Sequence, residues 1–200
     1  MIIDSLVIAT RNRHKTREIA ALLAHLPVRV RDLSEFPDAP EVEEDGDTLE
    51  ANALKKARSA HAHTGLPALA DDTGLEVFYL LGAPGVYSAR YAGEQATYDD
   101  NNRKLLDAMK QVPARKRDAR FRCVVAFVYK GEARTFEGAI DGHIGIERRG
   151  TNGFGYDPVF YPAGDTRSYA EMSDAEKNAI SHRARAVSAF AQFLADVNGQ

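Results

Sequence analysis

The amino-acid sequence predicts an α/β protein in which helices flank a mixed, twisted sheet. Short apolar runs typical of strands alternate with segments whose apolar residues recur at helical spacing. Residues 120–129 and 133–139 form the clearest hairpin pattern, which requires antiparallel neighbours in the sheet. A chain of 200 residues fits a single domain over 1–200 and is long enough to build a substantial core.

The first half of the chain alternates between strand and helix patterns. An apolar run predicts a buried strand at 6–9, and apolar residues at helical spacing predict a helix over 15–26. Alternating apolar and charged residues predict a half-exposed strand at 28–33, followed by an acidic loop with prolines. A capping box of Asp47 and Glu50 then predicts a second helix to about residue 64.

The stretch ALADDTGLEV at 68–77 places two adjacent carboxylates between apolar runs. Asp, Thr and Gly are common in turns, so strands are predicted at 67–70 and 75–80 with a solvated acidic turn between them. Alternatively, Asp71 and Asp72 lie at the edge of a sheet and hold a cation, with one carboxylate left to activate water. The pair alone does not decide between these interpretations.

The second half adds a helix that begins after Thr97, then the hairpin, a glycine-rich loop at 148–156 and a short strand at 159–161. A second capping box, Ser173 with Glu176, starts a further helix. Residues 176–183 are compatible with one unbroken helix. Alternatively, Ser181 caps a new helix, which would place His182 and Arg183 at the positive end of that helix. The break is preferred. An apolar stripe marks the terminal helix at Val187, Phe190, Ala191 and Leu194.

Composition excludes several classes of protein. The net charge of −3 disfavours a bulk polyanion such as duplex DNA but allows a small phosphorylated ligand. The single cysteine, Cys123, lies in an apolar run and is expected to be a buried core residue. No window is apolar enough to predict a membrane span, the first residues predict a strand instead of a signal peptide, and a reducing cytoplasm is the expected compartment.

The junction between the first strand and the first helix is typical of a phosphate site. A turn that enters a helix exposes free backbone N–H groups at the positive end of the helix dipole. The P-loop pattern is absent, and a simple helix cap with surface cations is the alternative. The candidate ligands are Thr10, Arg11, Asn12, Arg13, His14 and Lys15.

Three further segments carry candidate ligands. Acidic residues precede the second helix, where they complement its dipole or offer Mg²⁺ one or two oxygen ligands (Glu41, Glu43, Glu44 and Asp45). In GTNGFGYDP at 150–158, glycines permit close approach of a flat ligand, on which Phe154 would stack; an ornate turn anchored by Phe154 is the alternative. Residues 176–183 supply cationic donors or a solvated charged face.

Taken together, these motifs resemble the inosine triphosphate pyrophosphatase family, whose members are also described as XTP/dITP diphosphatases. The resemblance covers nearly the whole chain in the same order, and the ordered set is highly specific although no single motif is decisive. It rests on TRNRHK at 10–15, EVEEDGDTLEANALKKA, ADDTG, GAPGVYSARYAG, NGFGYDPVF and EKNAISHR.

The resemblance implies a Mg²⁺-dependent hydrolase that converts a nucleoside triphosphate to the monophosphate and pyrophosphate, with a preference for ITP, dITP and XTP. It also implies elongated subunits of two lobes with a central nucleotide cleft, usually paired as a homodimer. A cytoplasmic enzyme without nucleic-acid or membrane partners is therefore expected. Rival functions are a non-catalytic nucleotide-binding module, an RNA-binding protein and a diphosphatase for pyrimidine triphosphates.

The resemblance also implies roles for individual residues. Glu44 and Asp72 would hold the metal, and Asp72 would accept a proton from the attacking water. Lys15, with Thr10 and Asn12, would hold the triphosphate. Lys56 would approach the phosphates and Thr73 would bond to the substrate, and the base site would comprise Phe154, Gly155, Tyr156, Asp157, Lys177, His182 and Arg183.

The first loop departs from the family pattern. The family usually has glycines there, as in TGNxGK, whereas Arg11 and His14 stand in this chain. A positive φ at position 11 would strain arginine by on the order of 1 kcal/mol. Base selection has a physical explanation in His182 or Arg183, because a donor aimed at C6 favours a carbonyl over the amino group of adenine. A buried mismatch of that kind costs about 1–3 kcal/mol.

Overall fold

The structure, a computed structural model, describes residues 2–199. The strands within that range are β1 (Ser5–Ile8), β2 (Arg29–Asp32), β3 (Ala68–Val77), β4 (Pro84–Gly85), β5 (Asp118–Tyr129), β6 (Glu132–Ile144) and β7 (Phe160–Pro162). They form one sheet in the order β2-β1-β3-β5-β6-β7, with β4 beside β3. β1 is parallel to β2 and β3, whereas β4 is antiparallel to β3 and β7 to β6. The predicted mixed α/β class is therefore confirmed.

Five α-helices lie within the described residues: α1 (Arg13–Leu23), α2 (Leu49–Thr64), α3 (Tyr98–Ala108), α4 (Asp174–Ile180) and α5 (His182–Gly199). The capping box of Ser173 and Glu176 is confirmed, and Thr97 caps α3 in the same way with Asp100. The predicted cap of α2 is wrong. Thr48 caps it, because its Oγ1 accepts a hydrogen bond from Ala51 N at 3.1 Å.

The acidic stretch differs most from its prediction. β3 runs without interruption through Asp71 and Asp72. The prediction of two strands joined by a solvated turn is therefore wrong. Both carboxylates are buried, with 1% and 6% of their surface exposed. The reason lies in tertiary contacts, because cations from distant segments of the chain neutralise the two carboxylates. The carboxylates therefore do not need a turn that exposes them to water.

The described residues divide into two compact units. The first comprises the residues up to Asp72, Cys123–Gly138 and the residues from His182 onward; its core packs β1, α1 and β5 against the apolar stripe of α5. The second comprises Thr73–Arg122 and Ala139–Ser181, with a core built on α3 and aromatic residues. Cys123 is buried in the first core, as expected. A single domain and a central nucleotide cleft stay predictions.

The hairpin and the helix stops follow local chemistry. Lys130 and Gly131, both with positive φ, join β5 to β6, which suits a tight two-residue connection. Gly65 follows α2 with φ 69°, a conformation that glycine adopts without steric cost. No helix between residues 2 and 199 combines the length and the apolar character that crossing a bilayer requires.

Candidate active site

The adjacent carboxylates of β3 contact different partners. Successive side chains of a strand point to opposite faces, so Asp71 and Asp72 are directed apart although they are neighbours in sequence. Asp71 Oδ2 lies 3.1 Å from Lys15 Nζ. Asp72 contacts Lys56 and Asn52 instead. The alternation lets the chain place two like charges side by side at low electrostatic cost.

Arg183 forms a buried ion pair with Asp71. Its Nε and Nη2 donate to Asp71 Oδ2 at 3.2 and 3.1 Å, and its Nη1 donates to Glu18. Burial alone would raise the Asp71 pKa, but the charges of Lys15 and Arg183 outweigh burial and hold this pKa well below its ordinary value. Burial likewise lowers the Lys15 pKa, and Asp71 reverses that shift. Asp71 therefore stays charged and anchors both cations.

Asp72 and Glu44 share the ammonium group of Lys56. Lys56 Nζ lies 2.8 Å from Glu44 Oε2 and 3.4 Å from Asp72 Oδ1. Burial raises the pKa of Asp72 to about 6, against the lowering effect of Lys56 and Lys15 and with a further rise from the like charge of Glu44. Burial also raises the Glu44 pKa, but Lys56 makes the net shift downward. Asp72 is thus the carboxyl of the pair whose pKa is raised, while that of Glu44 is lowered.

One face of α2 holds this carboxylate pair in place. Asn52 and Lys56 are four residues apart on the helix, so their side chains leave the same face. Asn52 Nδ2 donates to Asp72 Oδ2 at 3.2 Å, and its Oδ1 accepts from Gly46 N at 2.8 Å. A side chain at Gly46 would lie 2.7 Å from that oxygen, which is too close. The buried Asn52 therefore links the loop that precedes α2, at Gly46, to β3, at Asp72.

Asn12 organises the first loop as the cap of α1. Its Oδ1 accepts hydrogen bonds from His14 N at 3.0 Å and Lys15 N at 3.4 Å, and its own N–H donates to Thr10 Oγ1 at 3.2 Å. Arg13 and His14 are exposed at the start of the helix. Asn12 is therefore the cap of α1, and Lys15 is directed at Asp71. A phosphate site at this loop stays a prediction.

Arg11 fits the loop without backbone strain. Among the non-glycine residues described, only Leu81 and Lys130 have positive φ, so the strain considered for Arg11 is absent. Its Nη2 donates to the Ala39 carbonyl at 2.7 Å, and this bond links the loop before α1 to the loop before α2. A cavity of about 130 Å³ opens here; its lining includes Thr10, Arg11, Glu41, Glu44, Lys56 and Ser59.

The donor chemistry of Glu44 and Asp72 fits Mg²⁺. Among residues 2–199, no three His, Cys, Asp or Glu side chains are grouped to hold a metal ion. Mg²⁺ needs only one or two carboxylates when substrate phosphates and water provide the other ligands. The raised pKa of Asp72 also marks a place where added positive charge would favour the ionised carboxylate. The two residues therefore suit a cation that binds together with a polyphosphate.

A second set of predicted ligands lies in the second unit. Lys177 Nζ lies 2.6 Å from Asp157 Oδ2, and both side chains are buried. The same oxygen accepts from Phe154 N at 2.8 Å, and Lys177 Nζ lies 4.9 Å from the centre of the Phe154 ring. The hydroxyl of Tyr156 donates to the Ser88 carbonyl at 2.9 Å, and its role at the base site stays a prediction. This unit also contains Thr73 and Gly155.

The predicted helix break at Ser181 is confirmed. α4 ends at Ile180, Ser181 has extended backbone angles, and α5 begins with His182 and Arg183. Both of these side chains are buried in the first unit. The Arg183 guanidinium donates to two carboxylates, Asp71 and Glu18, so its predicted role in base recognition stays a prediction.

Sequence reasoning did not single out Glu18 and Asn52. Glu18 follows Lys15 by three residues on α1, and Asn52 precedes Lys56 by four on α2, so each shares a helix face with a predicted ligand. Asparagine is a poor helix former, and its presence inside α2 was a usable signal. The partner of Glu18 lies 165 residues away, which no local pattern indicates.

Comparison with known proteins gives one consistent family. The Ham1 family model matches residues 6–193. A dITP/XTP pyrophosphatase of Geobacter sulfurreducens is 55% identical over 91% of this chain and 92% of that protein, and one of Porphyromonas gingivalis is 50% identical over 96% and 97%. A solved HAM1 protein of Coxiella burnetii has a TM-score of 0.88 and 41% identity, covering 97% of this chain and all of that one. The chain belongs to the Ham1 family.

Proposed function

We propose that this chain hydrolyses the triphosphates of non-canonical purines, namely ITP, dITP and XTP, to the monophosphate and pyrophosphate. The activity would remove these nucleotides from the pool. Family membership and the dITP/XTP pyrophosphatase relatives support it. The structural observation that carries it is the pair Glu44 and Asp72, which shares Lys56 in the unit that also holds Lys15.

The cations of the first unit provide the phosphate site. Lys56 and Arg11 line the cavity beside the first loop, and the ammonium of Lys15 stands at Asp71. These charges offset the negative charge of a triphosphate and of the pyrophosphate that leaves. Asp71, itself paired with Arg183, holds Lys15 in place, and no covalent nucleophile is required.

Asp72 acts as the general base. Its carboxylate orients a water molecule and accepts a proton as the water oxygen bonds to the α-phosphorus. The bond from that phosphorus to the bridging oxygen breaks, and pyrophosphate departs with the electron pair. The raised pKa of Asp72 makes its carboxylate a better proton acceptor than an ordinary aspartate, and the charge of bound Mg²⁺ would favour the ionised form.

Glu44 and Asp72 would hold Mg²⁺, which supplies charge neutralisation for the phosphates when it is bound. Phe154 offers a face for stacking a purine, while Asp157 and Lys177 provide polar groups of both signs beside it. Base recognition by His182 or Arg183, through a donor to the C6 carbonyl, is part of the proposal because the resemblance implies it. A homodimer and a cytoplasmic location, both implied by the resemblance, are part of the proposal.

A panel of triphosphates tests the proposed activity. Purified protein is incubated with ITP, dITP, XTP, ATP, GTP and UTP, and pyrophosphate and orthophosphate are measured separately. We expect pyrophosphate from the first three at a much higher kcat/KM than from the others. Release of orthophosphate, or equal rates with ATP, would contradict the proposal. Binding of ITP without release of pyrophosphate would favour a non-catalytic module.

A further inference from the structure

Tyr98, the first residue of α3, lies beside the predicted stacking residue of the second unit. Its ring centre is 6.0 Å from that of Phe154, and the two ring planes meet at 44°. Tyr98 keeps 41% of its surface exposed, and Phe154 is only partly buried. Two tilted and accessible aromatic rings at this separation form a corner that suits a flat ligand.

Asn102 fixes the position of this tyrosine relative to the glycine-rich loop. The side chain is fully buried, and its Nδ2 donates to the carbonyls of Tyr98 and Gly155, both at 2.8 Å. Its Oδ1 is buried and has no hydrogen-bond partner among residues 2–199. The unpaired oxygen is a cost, and the two donated bonds are what hold the amide in this orientation. Those bonds join the first turn of α3 to the residue after Phe154.

The Phe154 side of the corner is fixed independently. Asp157 Oδ2 accepts from Phe154 N, and the ammonium of Lys177 lies 4.9 Å from the Phe154 ring centre. Gly153 has φ 71°, and a side chain there would come within 2.1 Å of Asp157 Oδ2, so the loop needs glycine at this position. The backbone on both sides of the corner is therefore set before any ligand binds, which reduces the entropy lost on binding.

We propose that Tyr98 is a second aromatic residue of the nucleobase subsite and contacts the purine that stacks on Phe154. The proposal rests on the proposed function, because it takes the ligand to be a purine nucleotide. A base stacked on Phe154 lies within reach of a ring tilted at 44° to it. Asn102 is a positioning residue in this arrangement, since it acts through the backbone of Tyr98 and Gly155.

Fluorescence tests the contact directly, because the chain has no tryptophan. Tyr98→Trp introduces a single indole at the corner, and the backbone carbonyl that Asn102 binds is unchanged. Titration with IMP is expected to change the emission in a saturable way, with a midpoint equal to the inhibition constant of IMP for ITP hydrolysis. The control is Tyr79→Trp, which replaces a tyrosine of similar exposure, 50%, in the same unit. Its emission should not respond to IMP.

Kinetics of Tyr98→Ala provide the second measurement. Loss of one aromatic contact is expected to raise KM for ITP by about 3- to 10-fold with kcat nearly unchanged, and Tyr98→Phe should retain the wild-type KM. An unchanged KM in Tyr98→Ala would overturn the role of Tyr98, and so would an emission of Tyr98→Trp that does not change with IMP while IMP still inhibits hydrolysis. Either result would leave the hydrolase assignment intact. Failure of the wild-type protein to release pyrophosphate from ITP would instead refute the proposed function.

Discussion

Replacing Arg183 with methionine is expected to lower the free energy of unfolding by about 3 kcal/mol. Arg183 is 2% exposed and donates two hydrogen bonds to Asp71 and one to Glu18. Methionine fills much of the same volume, so the main loss is the pairing of buried charge.

The magnitude follows from what the variant leaves behind. Removing one partner of a buried ion pair costs about 3–5 kcal/mol, because the remaining charge stays buried. Here Asp71 retains Lys15 at 3.1 Å, and the Glu18 side chain is 13% exposed and partly solvated. Both features favour the lower end of the range. The double variant Arg183→Met, Asp71→Asn removes the excess negative charge and should recover part of the loss.

Urea denaturation followed by circular dichroism measures this difference. The matched control is Arg167→Met, since Arg167 also pairs with two carboxylates, Asp165 and Glu176, but its side chain is 43% exposed. Exposed pairs contribute about 0–1 kcal/mol, so this control should lose less than about 1 kcal/mol. Equal losses in the two variants would refute the view that Arg183 stabilises the buried carboxylate.

The remaining predictions concern activity. Excess EDTA should abolish pyrophosphate release from ITP, and added Mg²⁺ should restore it; full activity in EDTA would remove Glu44 and Asp72 as metal ligands. Lys56→Met should move the acid limb of the kcat/KM profile to higher pH, because Lys56 lowers the Asp72 pKa and the base must be ionised to act. An unmoved limb would argue against Asp72 as the titrating group. Arg183→Met should narrow the ITP-over-ATP preference by about tenfold if Arg183 reads the base, and an unchanged ratio would leave it a purely structural role.

Local sequence signals predicted much of the fold. Stops and caps such as Gly65, Thr97 and Ser173 depend on backbone chemistry within a few residues, and all three lie where they were expected. The break at Ser181 was predictable for the same reason. The mixed sheet followed from the hairpin pattern.

The acidic stretch shows where local reasoning fails. Asp-Asp-Thr-Gly has the composition of a turn, yet it is a strand because Lys15, Lys56 and Arg183 converge on it from three separate segments. Propensity scales describe a residue in an average environment. A strand that buries two carboxylates among cations has an unusual environment, so these scales do not predict it. The family motifs singled out these three cations, but not which carboxylate each one contacts.

Turnover by the variant Asp72→Asn tests the role of this carboxylate. The amide has nearly the same shape and can keep a hydrogen bond to Asn52, so the protein should fold with wild-type circular dichroism and still bind IMP. Loss of the general base should lower kcat for ITP by about 10²- to 10⁴-fold. Near-normal pyrophosphate release by the folded variant would contradict the central claim that Asp72 activates the attacking water.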